Sequence, residues 1–391
     1  VTDTFVYNGR RLPAKQPGQF TLGALAYLAC APFGIAYNRD RILASAAVTW
    51  LTSSLLSALA AACLFLLLAG VWRFARAEAA FATAACGLAT ILFPYSGVAH
   101  HDILAVSFLV IALYLIERSI LGESPPGAGK ARALAAPLGA GLLLGLTLFT
   151  SMLPAMIVLV VLARVTLARG ATRTLALLGG LGAGLLPLLA YNAHYFGNPF
   201  LQANAAGGFS DTFFKPDAAN FLHHLNVYFG TGDLSVLKYM PVVVLGAAGL
   251  WLFDRRLLAE KRMLWGAIAL HLAYVLNIET IGGCQYGPRY LIPIVPLAML
   301  GLPGLLAWGK TSGKAWPWAA ATALALASAA VNLVGALKGT MFCDTPTFAF
   351  FDGLRGLAGL SPGDFPLAPL CLGLAVVSAA VFALRARLAR P

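Results

Sequence analysis

Charge is scarce in this sequence. Only 11% of its 391 residues are Asp, Glu, Lys or Arg, against 60% apolar or aromatic, and the mean hydropathy is +0.80. A soluble globule carries about 25% charged residues, because water must solvate its surface. A chain this poor in charge cannot cover itself in that way, and its expected solvent is lipid. Disorder is excluded on the same ground, since disordered segments are low in hydrophobicity and rich in charge. Cysteine is sparse too: six in this length make no disulfide scaffold. No Walker loop, Rossmann glycine fingerprint, HExxH or paired CxxC is present, which argues against an ATP-driven pump and against a nucleotide-sugar enzyme with a soluble domain. No period of about 20–50 residues marks a solenoid or propeller. No signal-peptide pattern opens the chain, which starts at Val1. Its natural N-terminus, with at least one span, is expected to lie upstream.

What the sequence does have is long apolar runs. About 20 such residues cross the hydrocarbon as a helix, with every backbone polar group paired internally. Candidates are 45–70, 79–99, 103–117, 134–150, 152–163, 174–193, 239–253, 263–278, 290–308, 316–337 and 367–384. The expected fold is all-α, a polytopic bundle of about 11 spans. Residues 134–163 read either as one long helix or as a hairpin turning near Thr150–Pro154, and charge chooses the hairpin. One side then collects 17 of the 27 basic residues against 5 acids, and the other holds 10 of each, so the whole net charge of +12 falls on one side. The positive-inside rule makes that side cytoplasmic. The basic balance therefore reflects membrane orientation, and no nucleic-acid partner is expected. Residues 18–36 fit poorly as a span and read as an interfacial helix. The expected organisation is an outer segment over 1–44 with that helix, membrane helices over 45–193, a long outer loop over 194–238, and membrane helices over 239–391.

The polar residues of note gather on the outer side. In Arg10-Arg11-Leu12-Pro13-Ala14-Lys15-Gln16-Pro17-Gly18, Lys15 stands where the interfacial helix begins. It can bind a phosphate at headgroup depth, or it can simply snorkel. In Ala99-His100-His101-Asp102, two imidazoles and a carboxylate lie between apolar runs, an arrangement that marks a functional candidate. Asp102 can serve as a base, orient a hydroxyl, hold a cation or cap the helix that follows. The trio also admits a divalent metal, although adjacent histidines point different ways on a helix. In Gly282-Gly283-Cys284-Gln285-Tyr286-Gly287-Pro288-Arg289-Tyr290, the Arg289 fork suits phosphate or carboxylate, and Arg289 with Tyr290 equally suits an interface anchor. The loop from Tyr191-Asn192 to Lys238-Tyr239 is rich in aromatics and amides, which suit sugar rings and the bilayer interface alike. Cys284 and Cys343 both fall on the outer side and could pair. The other four cysteines read as packing residues.

In this order the motifs resemble the GT-C membrane glycosyltransferases, in the branch that holds the protein O-mannosyltransferases, the lipid A aminoarabinose transferases and their bacterial relatives. NGRRLPAKQPGQFTLGALAYLACAPFG is similar to the end of their first outer loop, with Lys15-Gln16-Pro17 in place of a Lys-Pro-Pro-like element. TILFPYSGVAHHDILAVSFLVIALYL resembles their second outer loop, and Asp102 matches its acidic residue. YNAHYFGNPF with LKYMPVVVLGAAGLWL, and GGCQYGPRYLIPIVPLAML with its Gly-Pro-Arg-Tyr element, complete a likeness over roughly residues 5–305.

The resemblance implies transfer of a sugar from a polyprenyl-phosphate carrier to a hydroxyl on a protein, lipid or glycan at the outer leaflet. It implies catalytic roles for Asp102 and His101 and donor-phosphate binding by Lys15, Arg289 and Tyr290. His100, Asn192 and Tyr239 are expected at the substrate. The family's main catalytic aspartate precedes the Lys-Pro element by a longer stretch than exists here. Asp3 is the sole carboxylate among the fourteen residues before Lys15. The main base is therefore expected upstream of Val1, with Asp102 as the supporting acid. A multi-span transporter or flippase for a lipid-linked sugar is the alternative reading. It lacks support from repeated halves, which transporters commonly show. A non-catalytic membrane scaffold is a third.

Overall fold

The computed structural model describes residues 4–121, 130–168, 170–209, 213–282, 285–340 and 348–357. The expected span at 367–384, the Cys284–Cys343 pair and Asp3 lie outside them.

The described residues are mostly helical, in line with the expected helix bundle, with one short hairpin added. Strands β1 (Thr4–Tyr7) and β2 (Arg10–Pro13) pair antiparallel, with Phe5 opposite Leu12 and Tyr7 opposite Arg10. Asn8 and Gly9 form the turn at φ of 48° and 73°. Asn-Gly is the strongest short hairpin signal, because both central residues of the favoured turn need a positive φ. The hairpin's Phe5 and Tyr7 rings pack against Phe196.

Helix α1 (Gly18–Cys30) has 13 residues. At 1.5 Å per residue it is roughly 20 Å long, too short to cross the hydrocarbon alone. Phe20, Leu25, Leu28 and Phe33 stand exposed along and just after it. Gly18 abuts Phe149 and Thr150 so closely that a Cβ there would lie 2.7 Å from their backbone, which seats the start of α1 on the end of another helix.

Next come α2 (Arg41–Val71), α3 (Arg76–Leu88), the short α4 (Leu92–Ser96) and α5 (His101–Leu121). Asp40 caps α2 by accepting from the Leu43 amide at 2.9 Å. Then follow α6 (Lys130–Thr150), α7 (Ala155–Ala168), α8 (Ala171–Phe196), α9 (Ala218–Phe229), α10 (Val242–Leu250), α11 (Leu258–Val275), α12 (Arg289–Thr311), α13 (Trp316–Lys338) and α14 (Ala349–Leu357). Residues 134–163 form two helices broken at Ser151–Pro154.

Among the described residues five helices are long and apolar enough to cross a membrane: α2, α5, α8, α12 and α13. That is fewer than the run count suggests. The run 79–99 breaks at Ala89–Ile91, and 239–253 yields only the nine-residue α10. Hydropathy measures the length of a run, not the continuity of a helix. Together with the composition, these helices make the chain an integral membrane protein.

Small residues bring several helices into backbone contact. A Cβ on Gly141, Gly145, Gly180 or Gly184 would lie 2.0–2.5 Å from a carbonyl oxygen of the facing helix, which locks α6 against α8. Lipid tails are as apolar as leucine, so close packing of this kind is what holds such helices together. Helices α5 and α12 are mostly buried, whereas no more than a third of α2, α8 or α13 is. The two buried helices form the centre, and each opens at the site described next.

Candidate functional site

A cavity of about 210 Å³ is lined by Lys15, Gln16, His101, Asp102, Ser151, Met152, Leu153, Gln202, Asn204, Phe213, Tyr274, Ile278, Arg289 and Tyr290. Five residues singled out in the sequence meet here: Lys15, His101, Asp102, Arg289 and Tyr290. They come from three segments far apart in the chain.

Asp102 lies in the first turn of α5 and is almost wholly buried. Its carboxylate accepts a hydrogen bond from Ser151 Oγ at 2.9 Å. His101 Nε2 stands 3.3 Å away, and Arg289 Nε stands 3.9 Å from Oδ2. The helix-capping reading moves to a neighbour: the amide of Asp102 donates to His100 Nδ1 at 3.2 Å. That bond makes Nδ1 an acceptor, so the His100 proton sits on Nε2. Burial, reinforced by the His101 ring stacked at 4.4 Å, holds the His100 imidazole well below its ordinary range, and the ring is neutral.

Arg289 opens α12 with its guanidinium over the Tyr290 ring at 5.3 Å. The approach to it is fixed on several sides. Gly287 takes a φ of 66°, which suits glycine. The Tyr286 amide donates to Tyr95 Oη at 3.1 Å, and Tyr286 Oη donates to the Val331 carbonyl at 2.6 Å. The Tyr290 carbonyl meets His271 Nε2 at 2.9 Å. Arg289 Nε and Asp102 Oδ2 are both buried, and neither makes a hydrogen bond. Unmade hydrogen bonds on buried charged groups are costly, and native structures keep few of them. Two such atoms facing one cavity are therefore available to a ligand.

Lys15 reaches the cavity from the hairpin side. Gln16, Pro17 and Gly18 behind it are buried. Gln19 Nε2 donates to the Ala99 carbonyl at 2.6 Å, tying the start of α1 to the segment that carries His100 and His101.

The remaining expected residues are placed differently. His100 is 3.8 Å from Asp102 Oδ2 but does not line the cavity. Asn192 is buried in α8, where its Nδ2 donates to the Pro199 carbonyl at 3.1 Å. Tyr239 is also buried: its hydroxyl accepts from the Ala349 amide at 3.0 Å, and its carbonyl accepts from Asn332 Nδ2 at 2.8 Å. Neither Asn192 nor Tyr239 lines the cavity. The long loop contributes Gln202, Asn204 and Phe213 instead, and Ser151 comes from the break between α6 and α7. Sequence reading missed these four. The amide- and aromatic-rich loop was the only signal toward three of them, and Ser151 carried none.

His100, His101 and Asp102 offer ligand atoms within 4.8 Å of one another. A divalent ion there would compete with Asp102's existing partner, Ser151, and with the Arg289 cation beside it. Asp102 Oδ2 is left for such an ion, with Arg289 3.9 Å away opposing it.

No family model matches the sequence, and no curated protein matches it. Two solved structures are similar in shape. ArnT from Cupriavidus metallidurans, bound to undecaprenyl phosphate, is 17% identical, with a TM-score of 0.48 over 86% of this chain and 64% of that one. The oligosaccharyltransferase of Archaeoglobus fulgidus in its apo form is 16% identical, with a TM-score of 0.45 over 89% of this chain and 50% of that one. The chain thus spans less than two thirds of the length of either structure. Likenesses this distant assign neither family nor activity.

Proposed function

We propose that the chain belongs to a GT-C-type membrane glycosyltransferase, which moves a sugar from a polyprenyl-phosphate donor to a hydroxyl acceptor on the outer face of the membrane. One observation carries the reading. The two central helices begin at a single cavity, one with Asp102 and the other with Arg289, and the two side chains face each other at 3.9 Å without a hydrogen bond.

The chemistry follows from what such a cavity can do. The donor phosphate needs cations at headgroup depth, and Lys15 and Arg289 supply them. Arg289 Nε is free to donate to a phosphate oxygen. In the transfer the acceptor oxygen attacks the anomeric carbon, the bond from that carbon to the phosphate oxygen breaks, and the acceptor proton passes to a carboxylate. Asp102 lies where it can take or steer that proton, held by Ser151 and flanked by His101. A positioned carboxylate of this kind contributes about 10²–10⁴-fold. Charge grows on the departing phosphate, so cations fixed beside it act most strongly in the transition state. Gln16, Gln202 and Asn204, with Phe213 and Tyr274, give the cavity amide and aromatic partners suited to a polyhydroxylated ring. The apolar residues left exposed on α1 would hold Lys15 at the bilayer surface.

The test is sugar transfer from a polyprenyl-phosphate donor by the full-length protein in membranes. Asp102→Asn, Arg289→Ala and Lys15→Ala are each expected to lower it. Wild-type rates in all three would overturn the assignment.

A further inference from the structure

Helices α2 and α5 run side by side from the Asp102 end of the molecule, and their far ends frame a separate cleft of about 260 Å³. We propose that this cleft binds one anionic phospholipid, whose phosphate is gripped by Arg73 and Arg118 and whose chain lies along Gly70, Leu66 and Tyr114. This site is independent of the transferase reading. It faces the leaflet opposite the Asp102 cavity, because the 21 residues of α5 separate the two by roughly 30 Å, about one hydrocarbon thickness.

The first argument is the backbone at Arg73. Helix α2 ends in a wide turn over Leu67–Val71, and the Trp72 amide then donates to the Leu67 carbonyl at 2.8 Å. The Phe74 amide wraps back to the Leu68 carbonyl at 3.0 Å. This is a helix stop that places one residue in the left-handed region, a position usually filled by glycine. Here it holds Arg73, at a φ of 61°. Among the described residues the only other non-glycine at positive φ is Asn8, in a turn that favours asparagine. Arginine is not favoured in this conformation. Keeping it there places a cation at the mouth of the cleft, and strain of this kind persists where the side chain is needed.

The second argument is complementarity. Arg118 donates to Tyr114 Oη at 3.1 Å and lies over that ring at 5.9 Å, which fixes its fork on the α5 wall. Arg73 and Arg118 are both exposed, so a phosphate can reach them. A planar fork with several donors suits a phosphodiester well. Between them the wall is open: a Cβ on Gly70 would meet nothing within 4 Å. Leu66 and Tyr114, each about a turn deeper than the arginine end of its helix, give this gap apolar sides, so charge at the mouth and hydrocarbon below match the layout of a phospholipid. Basic pockets between membrane helices are the common seat of anionic headgroups.

The experiment is native mass spectrometry of the full chain in neutral detergent, with equal phosphatidylglycerol and phosphatidylcholine added. The wild type should retain one phosphatidylglycerol in preference to phosphatidylcholine. Arg73→Gly with Arg118→Ala should lower that preference at least tenfold while thermal stability holds or rises, since glycine relieves the backbone at 73. Gly70→Leu should fill the cleft and release the lipid with both charges intact. Lys310→Ala, at the far end of α12, should change nothing. Undiminished preference in the double variant or in Gly70→Leu would overturn the proposal. So would an equal loss in Lys310→Ala, which would mark general basic attraction. Displacement of the lipid by millimolar inorganic phosphate would identify a free-anion site instead.

Discussion

Asp102 and Glu117 sit on the same helix, one in its first turn and the other near its end, and both are buried. Their surroundings differ in one respect that separates reactivity from cohesion. Around Glu117 a cation and a carboxylate are directly hydrogen-bonded, although Glu117 Oε1, Glu260 Oε2 and Arg164 Nε make no hydrogen bond, as at the cavity. Trp72 Nε1 donates to it at 3.4 Å, and Arg164 on α7 reaches Glu260 on α11 through a 2.6 Å charged hydrogen bond. Both members of that pair act on Glu117 as well. Around Asp102 the cation stands 3.9 Å off, no hydrogen bond joins the two, and a cavity opens alongside. A hydrogen-bonded ion pair fastens helices together, whereas a parted one beside a cavity leaves room for something else to bind.

If that contrast is right, damage at the two ends should show in different measurements. At the open end, Asp102→Asn or Arg289→Ala should lower sugar transfer by about 100-fold or more, the scale expected when a proton acceptor or a leaving-group cation is lost. Folded yield should change little. At the closed end, Glu260→Gln leaves the half-buried Arg164 without its charged partner and should cost up to about 3 kcal/mol of stability. Denaturant unfolding would read this, with the transfer rate per folded molecule unchanged. A collapse in rate with stability intact at Glu260 would erase the distinction.

Ser151→Ala sharpens the comparison. It removes one hydrogen bond to a carboxylate, a group worth about 1.5–3 kcal/mol, and should lower transfer roughly tenfold through misplacement of Asp102. Losses of equal size in rate and stability would make Ser151 a packing residue. The smallest effect concerns α9, away from both ends. Burial there, with His223 beside it, holds the His224 imidazole below its ordinary range. The unfolded chain therefore takes up the proton more readily. Stability is full above the ordinary imidazole value, about 6.5, and declines as pH falls below it. His224→Phe should flatten that decline in thermal melts between pH 7 and 5.

Much of the cavity is legible in the sequence, because membrane physics restricts where charge can go. A lysine before an apolar helix, an acid opening a span and an arginine after a glycine turn all pointed to one face, and Lys15, Asp102 and Arg289 do line one cavity. What could not be read is contact across distance. Ser151 lies 49 residues from Asp102 and carries no motif. Asn192 and Tyr239 looked like sugar partners because amides and phenols bind sugars. The fold uses them to satisfy backbone groups in buried places, which composition cannot distinguish. The hairpin was legible in Asn8-Gly9 but masked by its short strands. The run 239–253 read as a span because it is apolar almost throughout, although α10 covers only nine of its residues, among them Gly246 and Gly249. Their backbones press directly on Ala298 and Gly301, a contact no one-dimensional reading shows.

The position of Lys15 has a practical corollary. Three residues beyond it begins a helix on which Leu25 and Leu28, with Phe33 just after it, are exposed among the described residues, so in the proposed interfacial placement surrounding amphiphiles would set the depth at which they rest. Thickness and curvature of the host film would thereby become adjustable inputs to how the lysine meets the proposed donor. Assays in small micelles should accordingly understate turnover relative to flat nanodiscs, and the deficit should shrink as the micelle is enlarged.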